Sequence, residues 1–205
     1  GWDGGGGITY QDGEKIRNLT AENGKVITLT AKWIPVTYMV AWHGGEGYTS
    51  GQMPVQVFTY DKEEALNKNQ FKKTGYEFTG WASQEDGGGT QFQDGQKVIN
   101  LTAAQDGVVH LYARWKNSKY KLIFVPNSGT CPIKEKEVLY DKEVGELPVP
   151  VKEDYRFLGW YHEKSGSRIS EKTIYKDLED IRLIANWELQ FEDLGNGTNR
   201  RPGPD

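Results

Sequence analysis

Apolar and polar residues alternate along much of this chain. Ile27-Leu29-Ala31-Trp33, Val109-Leu111-Ala113-Trp115 and Ile181-Leu183-Ala185-Trp187 each place an apolar side chain at every second position, with Thr28-Thr30-Lys32, His110-Tyr112-Arg114 and Arg182-Ile184-Asn186 between them. A period of two predicts strands with one face in a core and one toward solvent. Tyr38-Val40-Trp42 and Tyr120-Leu122-Phe124 repeat the pattern and run into the turns Gly44-Gly45-Glu46-Gly47 and Asn127-Ser128-Gly129. Further strands approach Phe78-Thr79-Gly80-Trp81 and Phe157-Leu158-Gly159-Trp160 through Tyr76 and Tyr155. Asp61-Lys62-Glu63-Glu64-Ala65-Leu66 predicts a short helix with Asp61 as its N-cap and acids in the first turn. Asp141 stands at the same place later on, where Gly145 and Pro148 hold any helix to about one turn. The expected class is α+β, strand-rich, built from small units.

Those units repeat. Residues 10–33 align without a gap on 92–115, with 12 identities in 24 positions, too many for chance. Tyr60-Asp61-Lys62 recurs as Tyr140-Asp141-Lys142, and Phe-x-Gly-Trp occurs twice, while the chain opens on Gly1-Trp2. The expected organisation is the C-terminal half of a unit at 1–33, a complete unit at 34–116, a shorter one at 117–188, and a polar Gly/Pro tail or linker at 189–205. The half unit predicts that the chain is part of a longer polypeptide. Links of only a few residues at Ile34-Pro35 and Lys116-Asn117-Ser118 predict an elongated array.

With 36% hydrophobic residues in 205, each unit has a thin core, and 7 Trp, 11 Tyr and 7 Phe compensate by burying large rings. Trp33, Trp42, Trp81, Trp115, Trp160 and Trp187 are therefore expected in the core. A net charge of −4 offers no basic stripe for nucleic acid. No apolar run approaches the roughly 20 residues of a membrane span, so no direct insertion is expected. A single cysteine, Cys131, has no disulfide partner within the chain and reads as a small, partly buried thiol.

The search for chemistry predicts no catalytic residue, no cofactor and no metal site. His43, His110 and His162 fall at unrelated positions of the unit and lack metal-ligand spacing. No Gly-x-Ser-x-Gly elbow is present, and the glycine runs 4–7 and 87–89 lack the Lys-Ser/Thr sequel of a phosphate loop. In Asn18-Leu19-Thr20 and Asn100-Leu101-Thr102, Leu reads as a core anchor while Asn and Thr shape a turn. Asn196-Gly197-Thr198 is a third match to the glycosylation sequon. If an aromatic surface binds a ligand, Tyr48 beside the glycine turn and Tyr112 on the polar strand face are the candidates.

The ordered set Tyr38-x-Val40-x-Trp42, Phe78-x-Gly80-Trp81, Asn100-Leu101-Thr102 and Leu111-Tyr112-Ala113-x-Trp115 resembles the Listeria-Bacteroides repeat, a family that includes the B-repeats of internalin-type bacterial surface proteins. The resemblance covers about 187 residues and is strongest over Phe78 to Trp115. It implies a β-grasp-like fold and an extracellular, secreted, cell-wall-attached or surface-displayed protein whose repeats act as stalk or adhesion modules with no catalytic residues. The third copy departs from the pattern, with Lys176-Asp177-Leu178 where Ile99-Asn100-Leu101 stands in the second. The expected function is a non-enzymatic spacer and adhesion segment, monomeric or weakly dimeric, contacting neighbouring repeats and host or bacterial surface proteins or glycans. Specific binding of a glycan or host protein through variable loops is the alternative.

Overall fold

A computed structural model describes residues 1–190, 192–193 and 199–200. Its main features are two five-stranded sheets of one topology. The first places Gln56–Thr59, Thr37–His43, Gly107–Asn117, Tyr76–Ala82 and Gln91–Phe92 side by side; the second places Glu135–Leu139, Lys119–Val125, Ile181–Leu189, Tyr155–His162 and Arg168–Ile169 in the same order. In each, the opening and closing strands form a parallel central pair, with Val40 opposite Val109 and Trp42 opposite Leu111 in the second copy, and Phe124 opposite Leu183 in the third. The other pairings are antiparallel.

The alternating residues fill one face. Tyr38, Val40, Trp42, Trp81, Leu111 and Ala113 form one core, and Leu122, Phe124, Trp160, Ile181, Leu183 and Ala185 form the other. Trp115 and Trp187 pack partly buried at the edges. Each donates its indole N–H to a carbonyl just beyond the opening strand, Trp115 to Gly44 at 2.8 Å and Trp187 to Pro126 at 3.0 Å. That bond ties the end of the closing strand to the turn after the opening one.

The Phe-x-Gly-Trp motif is a β-bulge. Trp115 pairs with Phe78 and Arg114 with Gly80, so Thr79 is the extra residue; Trp187, Phe157, Asn186 and Gly159 repeat this. Residues three apart on a regular strand lie on opposite faces, and the bulge brings both rings to one side. Phe78 and Trp81 then sit 5.0 Å apart, as Phe157 and Trp160 do at 5.4 Å, each pair meeting the closing tryptophan.

Two expectations are corrected. Among the described residues there is no helix. Asp61 is not an N-cap: it takes φ of 61° in a turn, Asp141 likewise at 60°, and Glu64–Ala65 form a short strand against Lys97–Val98. Helix propensity over these residues gives way because an extended segment buries Leu66 under the sheet while Glu63 and Glu64 pair with Lys97 and Lys62. Trp33 is the second. It is 88% exposed, and no residue from 1 to 35 is buried. The first copy forms only a small sheet of Thr9–Tyr10, Trp2–Asp3 and Thr30–Ala31. Trp115 is covered by Phe78 and donates to Gly44 O, contacts that Trp33 does not make among the described residues. The tail expected at 189–205 lies largely outside the described residues; Glu192–Asp193 pair with Asn199–Arg200, and Asn196 is outside.

Trp42 and Trp81 carry buried indole N–H groups with no hydrogen-bond partner among the described residues, whereas the Trp160 N–H reaches Pro148 O at 2.7 Å. A buried orphan donor costs about 1–3 kcal/mol. Phe124 occupies the Trp42 place in the third copy and meets Trp160 at 4.9 Å and 50°, close to the 4.7 Å and 57° of Trp42 on Trp81. Trp42→Phe is accordingly expected to lower stability by less than about 1.5 kcal/mol, far below an ordinary buried-ring truncation. The urea midpoint of the second-copy transition checks this.

Candidate functional site

The face of the first sheet opposite its core carries His43, His110 and Tyr112. Parallel pairing sets Tyr112 directly beside His43 and His110 beside Ala41, so all three side chains leave the same face. The His43 ring stacks on Tyr112 with centroids 4.5 Å apart and planes 17° from parallel. Its Nε2 lies 2.9 Å from His110 Nδ1, a distance at which one ring nitrogen donates to the other. Sequence reasoning put these histidines at unrelated places. They meet because the parallel register sets His43 and His110, 67 residues apart in sequence, diagonally across the strand pair, which no local period records.

Tyr48 follows the glycine turn. Its ring covers Gly44, where a Cβ would come within 2.5 Å of the ring, and it stands edge-on to Phe71 at 5.4 Å. Gly44 thus permits the close approach of tyrosine to backbone. Tyr48 and Tyr112 line one open depression of about 340 Å³ together with His43, Glu46 and Glu85. Two tyrosine rings beside two carboxylates can stack on a sugar or apolar face and accept hydrogen bonds from hydroxyl or cationic groups. The third copy has Val125 and Ile184 at the places of His43 and Tyr112, and its turn Pro126-Asn127-Ser128-Gly129-Thr130 holds no tyrosine, so it repeats the scaffold without this surface.

Burial, followed by the proximity of His110, lowers the His43 pKa from its usual 6.5, and Glu85 opposes them. A histidine whose pKa is depressed by folding contributes stability that is whole above the unfolded value and lost as pH falls through the folded one. The second-copy transition is therefore expected to weaken between about pH 7 and pH 5. His43→Val, the residue of the third copy, should flatten that dependence in denaturant melts taken at both pH values. Among the described residues, no group of three or more His, Cys, Asp or Glu is placed to hold a metal ion. Cys131 is partly buried against the third-copy core.

The model of the Listeria-Bacteroides repeat domain matches residues 36–114 and again 120–186. The chain belongs to the Listeria-Bacteroides repeat family. The two matched segments hold nearly all of the strands of the two five-stranded sheets, so each sheet is one Listeria-Bacteroides repeat. The family is one of bacterial surface proteins. Two relatives from Evansella cellulosilytica are similar to this chain: a protein provisionally named a Gly-rich membrane protein, 32% identical over 65% of this chain, and another provisionally named a membrane protein, 26% identical over 82%. The chain spans only 16% and 24% of their lengths. Among the described residues, no helix is long and apolar enough to cross a membrane.

Proposed function

We propose that this segment is a non-enzymatic array of Listeria-Bacteroides repeats that serves as spacer, adhesion or protein-interaction stalk in an extracellular, cell-wall-attached or otherwise surface-displayed bacterial protein. Its units are the C-terminal half of a repeat at 1–33 and complete repeats at 34–116 and 117–188, followed by a polar Gly/Pro tail or linker at 189–205. The junction carries the reading. Strand Gly107–Asn117 is followed by strand Lys119–Val125 with Ser118 alone between them, and Ser118 N–H is bonded to Gly75 O at 2.9 Å. A one-residue link anchored at the backbone favours an elongated array over beads on a flexible string. The sheet order with a parallel central pair supports a β-grasp-like description in which the crossover is extended. Small-angle scattering is expected to give an elongated monomer or weak dimer; a compact envelope would overturn the array.

Specific binding is the second reading, favoured because Tyr48 and Tyr112 share one depression with Glu46 and Glu85. Loops on a rigid sheet are where recognition concentrates. The ligand would be a glycan or a host or bacterial surface protein; a net charge of −4 disfavours nucleic acid. Tyr48→Ala with Tyr112→Ala is expected to lower retention on a glycan array or host-cell panel at least about tenfold, since large aromatic anchors dominate such interfaces. Undiminished retention would remove this reading.

A further inference from the structure

The two complete repeats meet through a small, directional contact. At the front of the third copy, Tyr140 N–H bonds Ser118 O at 2.9 Å and Asn117 Nδ2 donates to Tyr140 O at 2.7 Å. The Tyr140 ring lies on Gly75 and meets Tyr76 edge-on, with centroids 5.8 Å apart. Beside it, Tyr76 Oη–H donates to Asp141 Oδ2 at 2.8 Å, and Lys176 pairs with Asp141 Oδ1. A Cβ on Gly75 would fall 2.3 Å from the Tyr140 ring, so only glycine leaves room for it.

Both halves of this contact recur elsewhere. Tyr60 N–H bonds Val36 O at 2.7 Å, and Asp61 has φ of 61° against 60° for Asp141, so the second copy presents the same Tyr-Asp front. At the rear of the third copy, Gln190 N–H bonds Asp154 O at 2.8 Å as Ser118 bonds Gly75. Lys152 lies 4.1 Å over Tyr155 there, as Lys73 lies 4.3 Å over Tyr76. Leu189 stands at the place of Asn117, and a second difference decides the fit. Asp154, with φ of 60°, stands where Gly75 has 77°, and its Cβ occupies the space that a front tyrosine needs.

We infer that a Tyr-Asp front and a Gly-Tyr rear are the matched halves of a repeat-to-repeat lock, that Tyr60-Asp61 takes the Gly-Tyr turn of another repeat, and that Asp154 closes the third copy to such docking. This rests on the array reading and adds its rule of assembly: glycine before the rear tyrosine couples the next unit rigidly, and a side chain there releases it. The occupant of the Tyr60 front is a repeat of this family, by continuity with the Tyr140 contact.

The test uses the full chain as Gly75→Asp, Tyr140→Ala and the double variant, with ¹⁵N relaxation reading whether the two sheets tumble together. The original chain is expected to show one diffusion tensor for both sheets, and Gly75→Asp two faster ones, with slow amide exchange at Leu111 showing that the second copy stays folded. The double variant should match Tyr140→Ala, because the clash needs both groups. A shared tensor in Gly75→Asp, or a further loss in the double variant, overturns the lock. If Gly75→Asp loses the Leu111 protection, Gly75→Asn, which tolerates positive φ better, takes its place under the same criteria. For the Tyr60 front, residues 34–79 are fused ahead of Gly1, completing the first unit and supplying Gly75-Tyr76 in position. Amide exchange at 60–62 is expected to slow at least about tenfold, and to return to the original rate when the added glycine is aspartate. No slowing, or equal slowing in both fusions, overturns it. A compact scattering envelope, by contrast, would sink the array while leaving this contact measurable.

Discussion

Trp81→Ala is expected to strip about 3–5 kcal/mol from the second copy while the third stays folded. Trp81 is 0% exposed and is the hub of its core, touching Trp42 at 4.7 Å, Phe78 at 5.0 Å and Phe71 at 6.2 Å. Deleting a buried ring of this size costs about 3–5 kcal/mol. A unit of this length has roughly 4–12 kcal/mol to lose. A second copy near the bottom of that range should therefore be largely unfolded at 25 °C, and a more stable one should show a large fall in its urea midpoint. The two cores share no residue, so the third-copy transition should lose only what its contact with Gly75, Tyr76 and Asn117 contributes, less than about 3 kcal/mol. Urea titration followed by resolved NMR signals from Leu111 and Leu183 distinguishes the transitions. Trp160→Ala should do the mirror-image damage, with the further loss of its bond to Pro148.

Gly80→Ala is the second large effect, and its comparison with Gly159→Ala gives it direction. Both glycines sit in the bulge at φ of 133° and 144°, a region side chains rarely adopt and that costs about 1–3 kcal/mol. At Gly80 the new methyl would also lie 2.6 Å from Phe92 O, a backbone atom fixed by strand pairing. At Gly159 the nearest atom, 2.8 Å away, is Nε of the Arg168 side chain, which can swing aside. Gly80→Ala should thus destabilise its copy by at least about 3 kcal/mol, and Gly159→Ala by at least about 1 kcal/mol less. Equal losses in the two denaturation midpoints would show that dihedral strain alone decides, and that the carbonyl contact does not.

Strand identity was legible because alternation is local: Tyr38-Val40-Trp42 and Leu111-Ala113 declare their buried face within a few residues. The internal repeats likewise announced that one strand order would occur twice. What escaped was set by long-range geometry. The helix at Asp61 looked sound on propensity and capping, but a short segment takes the conformation that its burial demands, and Leu66 is better covered from an extended chain. Trp33 has the motif of a core residue, yet burial belongs to a partner surface and not to a motif, and among the described residues no such surface covers it. The candidate site shows the same division. Tyr48 and Tyr112 could be singled out from a turn and a polar strand face, while His43 joined them only through a parallel register that no spacing encodes.

The parallel central pair has a mechanical meaning. Each repeat enters on its opening strand and leaves on its closing strand, and these run side by side in one direction. Tension applied to the chain ends would drag the two strands past each other in shear, loading their cross-strand bonds together, where an antiparallel pair would unzip one bond at a time. The indole-to-carbonyl ties at Gly44 and Pro126 join the same two strand ends and share that load. A repeat wired in this way is suited to bearing traction along its own axis.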